Sequence, residues 1–311
     1  MRKTECIMGI DVGSVTVKIA LLTKKGEVIK TFYERSNGKT LEKLKDLFKK
    51  IPKNNEVIGA GVTGSARIFI GKVIGADIIK NEITAHASAL SKFYPKARTI
   101  IEIGGQDSKI IIFKHGVPVD FAMNTVCAAG TGSFLDQQAA RLCIPIEDFG
   151  RIALQSKKDL NVGGRCTVFA ESDMVQKQQA GHETQDIIRG LCNNLIKNYL
   201  NNVAKGKDLE KPFVLLGGVA ANVGIVKAFE RQLGAKMIIP EHYNVMGAIG
   251  VGILVIKNLP RKTKFRGLEF SKYELKKEAF QCRDCVNTCD VIKISIGKEV
   301  SHIGSKCGKY G

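Results

Sequence analysis

Ile7-Met-Gly-Ile-Asp-Val-Gly-Ser-Val-Thr-Val-Lys-Ile-Ala-Leu-Leu22 decides the fold. Its apolar run is interrupted at Gly13-Ser14, so it reads as two buried strands joined by a tight turn. Working outward, Gly26 supplies a second turn and Val28 to Tyr33 a third strand. Thr40 to Ile51 carries Leu41, Leu44, Leu47 and Phe48 at the spacing of an amphipathic helix. Val57 to Val62 is a further strand and Glu82 to Phe93 an alanine-rich helix. From Thr99 the plan repeats: Ile100-Ile-Glu-Ile-Gly-Gly-Gln-Asp-Ser-Lys-Ile-Ile-Ile-Phe113 is strand, glycine turn, strand, followed by a turn at His115-Gly116. Two such copies, each with glycine beside aspartate at the turn, predict two similar lobes facing one another across a cleft. Ser133 to Leu142, Gln185 to Val203 and Ala221 to Leu233 read as helices, and Phe213 to Leu216 as a strand. Val245 to Ile256 is a glycine-spaced helix that packs closely against a neighbour.

The resulting layout is α/β. Residues 1–95 form a first lobe completed by the helix at 245–258, residues 96–244 a second lobe, and residues 260–311 a basic, cysteine-rich appendage. A length of 311 residues suits one bilobed unit or two ordinary domains, and 44% hydrophobic with 25% charged residues is a globular composition. No stretch approaches the roughly 18 uninterrupted apolar residues of a membrane span. The start, Met1-Arg-Lys-Thr-Glu-Cys6, lacks an apolar signal core, which places the chain in the cytoplasm. The formal charge is +18, but the basic residues are dispersed, there is no Trp, and no nucleic-acid motif accompanies them. A solvated face, or a surface that steers an acidic protein partner, accounts for the charge. Nine cysteines in a reducing compartment point to metal or cluster binding.

Three glycine motifs are spaced as the walls of one nucleotide pocket. In Asp11-Val-Gly-Ser-Val-Thr-Val-Lys18, a turn with Gly13 and Ser14 points backbone N–H groups at phosphate, since glycine has no Cβ to block approach. Asp11 is placed to hold a hydrated magnesium ion, and Thr16 and Lys18 complete that wall. Gly104-Gly105-Gln106-Asp107-Ser108 offers a second amide cradle and carboxylate. Leu215-Leu-Gly217-Gly218-Val-Ala-Ala221-Asn222 is a strand ending in paired glycines, a surface for adenine and ribose. The chain thus resembles the superfamily of acetate and sugar kinases, heat-shock ATPases and actin, with phosphate-1, phosphate-2 and adenosine motifs in this order over two ribonuclease-H-like lobes. Neither a Walker lysine loop nor a dinucleotide fingerprint stands at Gly9 to Gly13. The resemblance implies ATP hydrolysis or phosphoryl transfer, with Asp107 or Gln106 positioning an attacking water and Asp11 on the metal side.

Cys127, in Asn124-Thr-Val-Cys-Ala-Ala-Gly-Thr-Gly-Ser-Phe134, and Cys166, in Gly163-Gly-Arg-Cys-Thr-Val-Phe-Ala-Glu-Ser172, each precede a helix start, where negative charge is favoured. Residues 6–256 resemble the ATP-dependent activators of 2-hydroxyacyl-CoA dehydratases, a family that includes the ATPase subunits of benzoyl-CoA reductase. The marks are Gly9-Ile-Asp-Val-Gly-Ser14, Ile103-Gly-Gly-Gln-Asp107, Cys127-Ala-Ala-Gly-Thr-Gly132, Arg165-Cys-Thr-Val-Phe-Ala-Glu-Ser172 and Gly217-Gly-Val-Ala-Ala-Asn222. The resemblance implies a homodimer sharing one four-iron four-sulfur cluster through Cys127 and Cys166 of each subunit. It also implies transfer of a low-potential electron, supplied by ferredoxin or flavodoxin, to a dehydratase or reductase partner. A small-molecule kinase of the same superfamily and a non-enzymatic nucleotide-dependent scaffold are the alternatives. Cys6, Cys143 and Cys192 read as core residues. In the appendage, Cys282, Cys285, Cys289 and Cys307 suffice for a second site, zinc or iron-sulfur, like a segment after the activator module in longer fused relatives.

Overall fold

The computed structural model describes residues 4–124, 127–164, 166–269, 275–297, 299–307 and 309–310; Thr125, Val126 and Arg165 of the quoted motifs lie outside them. The chain divides into two compact units, Met1–Ala89 with Gly247–Gly311, and Leu90–Met246.

The first unit opens with β1 (Thr4–Val12), β2 (Thr16–Leu22) and β3 (Val28–Arg35), an antiparallel meander. It continues through α1 (Thr40–Lys49), β4 (Asn55–Thr63), α2 (Arg67–Ile74), β5 (Ile78–Ile79) and α3 (Glu82–Phe93), the last crossing into the second unit. The sheet order is β3-β2-β1-β4-β5, with β4 and β5 parallel to β1. Residues Cys6 to Val12 are all buried, which is why the strand reads as an unbroken apolar run: both faces are covered. Burial pushes the Cys6 thiol up to about 11.

The second unit carries β6 (Thr99–Ile103), β7 (Ser108–Lys114) and β8 (Val117–Asn124), then α4 (Gly132–Arg141), α5 (Ile146–Gln155), α6 (Thr167–Gln179) and α7 (Thr184–Asn202). It ends with β9 (Phe213–Leu216), α8 (Val223–Leu233) and β10 (Met237–Ile238). Its sheet, β10-β9-β6-β7-β8, has the same connectivity as the first, β6 taking the place of β1. The predicted repeat is therefore real at the level of topology. Its core is built on Ile101, Ile103, Phe134, Phe149, Leu195, Tyr199 and Phe229. Cys192 lies in this core, its thiol pushed up to about 12 by burial. Cys143 departs from expectation. It sits just past the end of α4 at φ 54° and is exposed, because the chain reverses there and turns the thiol outward between its apolar neighbours.

α9 (Met246–Lys257) returns the chain to the first unit. A Cβ on Gly9 would come within 1.9 Å of the Ala248 carbonyl oxygen, so glycine is what allows α9 to lie directly on β1. No helix among the described residues is long and apolar enough to cross a membrane.

Residues beyond Leu259 form the antiparallel sheet β11 (Leu275–Gln281), β12 (Asp290–Ile296) and β13 (Glu299–Ile303). It is packed onto the first unit, not trailing from it. Ile294 and Ile296 are buried in the same apolar cluster as Met8, Ile10, Phe48 and Ile74. Thr263 Oγ1 donates to Asp77 at 2.6 Å, the Arg266 N–H to the Ile74 carbonyl at 2.9 Å, and Lys72 Nζ to the His302 carbonyl at 2.6 Å.

Candidate nucleotide and thiol sites

The two hairpins of the repeat carry matching ionic pairs. In the first unit Asp11 and Lys18 face each other across β1 and β2, and Lys18 Nζ lies 2.8 Å from Asp11 Oδ2. In the second, Glu102 and Lys109 occupy the equivalent places on β6 and β7, with Lys109 Nζ 3.0 Å from Glu102 Oε2 and 2.9 Å from Asp107 Oδ1. The turns close alike, the Gly13 N–H onto the Thr16 carbonyl and the Gly104 N–H onto the Asp107 carbonyl, both at 3.0 Å. Asp11, Gly13, Thr16 and Lys18 thus correspond one for one with Glu102, Gly104, Asp107 and Lys109. The amides of Gly13 and Gly104 are consequently engaged within the turns.

The charges differ between the copies. Lys18 meets Asp11 in the first hairpin, whereas Lys109 meets both Glu102 and Asp107 in the second. Glu102 is buried and Asp107 is the more exposed of the two, at 28% of its side chain. Asp107 is therefore the more solvent-facing carboxylate of the two; Gln106 beside it is exposed. In the first hairpin Ser14 is exposed, with its hydroxyl 3.3 Å from that of Ser65. Glu102 and Lys109 escaped the sequence reading because they are partners across strands, and no local motif marks them.

The third glycine motif stands beside the second. β9 pairs in parallel with β6, Glu102 opposite Leu216, so Gly217 follows directly next to the Glu102 carboxylate. Gly218 opens a 3-10 turn, Gly218–Ala221, in which Gly218 and Ala221 are exposed. Asn222 is the N-cap of α8: its Oδ1 accepts from the Ile225 N–H at 3.1 Å. Its side-chain oxygen is thus engaged in holding the helix.

Cys127 and Cys166 both occupy N-cap positions. Cys127 precedes the 3-10 turn Ala128–Gly130, which leads into α4, and is half-buried; Cys166 precedes α6 and is exposed. Asn124 brackets the first thiol, its Oδ1 accepting from the Cys127 N–H at 3.0 Å and its Nδ2 donating to the Cys127 carbonyl at 2.7 Å. The second thiol is held by a glycine and two asparagines. Gly164 has φ +114°, and a Cβ there would lie 2.5 Å from the Ala170 nitrogen. Its carbonyl accepts from Asn194 Nδ2 at 3.0 Å and Asn198 Nδ2 at 3.2 Å, both from α7. Asn194 and Asn198 were not singled out from sequence, where asparagine in a helix reads as surface; both are buried.

Hydrogen bonds run from the second hairpin to both thiol loops. The Gly132 and Ser133 N–H groups, the first of α4, donate to the Gly104 and Gly105 carbonyls at 2.8 Å, and Ser133 Oγ adds a bond of 2.6 Å to Gly105. On α7, one turn beyond Asn194 and beside Asn198, the Tyr199 hydroxyl donates to the Lys109 carbonyl at 2.8 Å. Tyr199 is fully buried, and burial, with Glu102 nearby, pushes its hydroxyl well above its ordinary value. Among the described residues, no three Cys, His, Asp or Glu side chains are disposed as they stand to hold a metal ion.

Residues 8–254 match the profile of the BadF/BadG/BcrA/BcrD ATPase family. The chain belongs to this family. Relatives include the 2-hydroxyisocaproyl-CoA dehydratase activator of Clostridioides difficile, 33% identical over 79% of this chain and 93% of that protein. The (R)-2-hydroxyglutaryl-CoA dehydratase activating ATPase of Acidaminococcus fermentans is 31% identical over 80% of this chain and 96% of that protein. Among solved structures, the activator of the 2-hydroxyisocaproyl-CoA dehydratase from Clostridium difficile with bound ADPNP superposes with a TM-score of 0.73 at 29% identity, covering 81% of this chain and 95% of that one. The mixed α/β architecture of two sheet-bearing units is thus that of the family's solved activator. The family profile ends at residue 254, before β11 to β13.

Proposed function

We propose that this chain is an ATP-hydrolysing, iron-sulfur-dependent activator. In this reading it passes a low-potential electron to a partner resembling a 2-hydroxyacyl-CoA dehydratase or benzoyl-CoA reductase. The observation that carries the reading is the pair of N-cap cysteines whose loops are tied by hydrogen bonds from α4 and α7 to the hairpin that matches the phosphate-2 motif. The relatives named as dehydratase activators support the same assignment.

The donor set fits the groups this function requires. Both cysteines stand before helical turns, where the field of the peptide dipoles favours an anionic cluster. Both thiols border exposed apolar surface: Val168 and Phe169 follow Cys166, and Val117, Val119, Phe121 and Met123 form one exposed row along β8, which ends at Asn124. Such surface suits a two-fold dimer in which each subunit supplies Cys127 and Cys166. A shared four-iron four-sulfur cluster supplies the single low-potential electron when bound. For magnesium with ATP, Asp11 is a buried carboxylate able to accept from metal-bound water, and the Lys18 ammonium complements phosphate oxygens. Asp107, the more solvent-facing carboxylate of its hairpin, positions the attacking water. Ferredoxin or flavodoxin is the proposed donor.

Coupling follows from the hydrogen bonds. A shift of the Gly104–Gly105 turn on nucleotide turnover pulls on the first amides of α4, five residues from Cys127. The same shift reaches Cys166 through Lys109, Tyr199 and the two asparagines. Protein purified without oxygen is expected to be brown and dimeric, with about four iron and four sulfide per dimer. Its paramagnetic resonance signal after reduction should change on adding ATP. A colourless, iron-free or monomeric product of that purification overturns the proposal. Within the same reading, Ser133→Ala removes one bond worth about 1 kcal/mol and should lower electron transfer per ATP about fivefold. ATP hydrolysis itself should be retained; an unchanged ratio of electrons to ATP sinks this route of coupling.

A further inference from the structure

We propose that Cys282, Cys285, Cys289 and Cys307 form a closed tetrathiolate site for a single zinc ion, separate from the Cys127 and Cys166 chemistry and independent of it. The sheet itself gathers these residues. Gln281 at the end of β11 pairs with Asp290 at the start of β12, and Ile292 beside it pairs with Ile303 at the end of β13. Antiparallel pairing therefore brings the residue after β11, the loop before β12 and the segment after β13 to one end of the sheet. All four cysteines lie in those three places.

The thiols at that end meet hydrogen-bond partners. Cys307 Sγ lies 3.8 Å from the Ser305 hydroxyl, while the Cys282 thiol donates to Asp284 Oδ2 at 3.4 Å. Cys289 Sγ accepts from the Lys306 N–H at 3.5 Å, and Cys285 Sγ from Asn287 Nδ2 at 3.7 Å. Donors on Cys289 and Cys285 suit sulfurs that act as metal ligands. Arg283 and Lys306 adjoin ligands in sequence, and Lys309 pairs with Asp284 at the same end. The Cys282 N–H donates to the Cys289 carbonyl at 2.8 Å, continuing the strand ladder between two of the ligands.

Packing gives the second, independent argument. The sheet's other end is anchored by Ile294 and Ile296 in the core of the first unit. At the cysteine end the buried set is Cys282, Cys289 and Val291, with Tyr310 against them. So small a cluster does not hold three chain segments together without a staple, and zinc on four cysteines is such a staple in ribbon-like sheets. Cys282 and Cys289 are buried and set the floor of the site. Cys285 and Cys307 are exposed, so closing the set requires their side chains to reorient toward the buried pair, since no three of these side chains stand together as placed. Four cysteine sulfurs select zinc or an iron-sulfur cluster, and a site at one end of a small three-stranded sheet is the ribbon-like setting of structural zinc.

The test is metal analysis of the full chain purified without chelator and without oxygen. The wild type should carry about one zinc per chain, and protein grown on cobalt should show the sulfur-to-metal charge-transfer absorption of tetrahedral thiolate coordination. In Cys285→Ser/Cys307→Ser, zinc should fall about tenfold or more while ATP hydrolysis is unchanged. Cys127→Ser/Cys166→Ser should keep its zinc. As a readout that needs no variant, a strong chelator should lower the thermal midpoint of the wild type. Absence of zinc above trace, zinc unaffected by the tail substitutions, or iron with equimolar sulfide lost from the tail variant would each overturn the assignment.

Discussion

Replacing Cys166 by serine is expected to give a colourless protein that still binds nucleotide. The loop carrying the thiol is held by Gly164 at φ +114° and by the Asn194 and Asn198 amides on its carbonyl, none of which involves the sulfur. Serine is close to isosteric and serves well as an N-cap, so the backbone and α6 remain in place. Iron, in contrast, is held by thiolate, and in a two-fold site each substitution removes two of four ligands. Iron and sulfide should fall to background, with ATP affinity within about twofold of wild type because one exposed side chain outside the hairpins has changed. Cys143→Ser, an exposed thiol on another loop, should keep its full iron content. Unaltered iron in Cys166→Ser sinks the ligand assignment.

Lys18→Met carries the second large effect. The Lys18 ammonium lies 2.8 Å from Asp11, whose carboxylate is 6% exposed, so methionine leaves a buried carboxylate without its cation. Breaking one partner of such a pair costs on the order of 3 kcal/mol, more than surface pairs ever contribute. Turnover should fall about 10² to 10³-fold, the usual result of deleting a charge that stabilises a transition state. Loss of folding and loss of chemistry are separated by Lys18→Met/Asp11→Asn, which removes both charges. The double variant should recover most of the denaturation midpoint and none of the ATPase rate. A Lys18→Met protein that hydrolyses ATP within about threefold of wild type removes Lys18 from the phosphate-binding role.

Much of the architecture is legible because the chemistry is local. Strands covered on both faces write long apolar runs, and β1, β2, β6 and β7 stand out for that reason, each pair split by a glycine turn. Helices α1 and α3 are equally plain. Elements whose signal is weak or contrary were missed. α2 is eight residues long, and β8 presents Val117, Val119, Phe121 and Met123 to solvent, against the ordinary alternation. The tail reads as a basic appendage because its buried residues are few and spaced two apart on β12, where Ile294 and Ile296 alternate with polar or half-exposed positions. At the sites, motif residues were legible and their supports were not. Asp11, Lys18, Asp107, Cys127 and Cys166 are marked by neighbouring glycines. Glu102, Lys109, Asn194, Asn198 and Tyr199 act across strands or from a distant helix, and proximity of that kind is written only in three dimensions. Cys143 failed in the opposite sense, since its apolar neighbours say nothing of the left-handed turn that expels it.

The way β12 is seated has a practical corollary for anyone cutting this protein down to its recognisable family portion. A chain ended near residue 254 would strip Ile294, Ile296 and Phe265 from beside Phe48 and Ile74, leaving an oily scar on the first unit where a finished surface now stands. Such a fragment should precipitate or pair with its own kind through that scar. The limits of common ancestry and the limits of a self-sufficient folding body therefore fall at different places in this molecule.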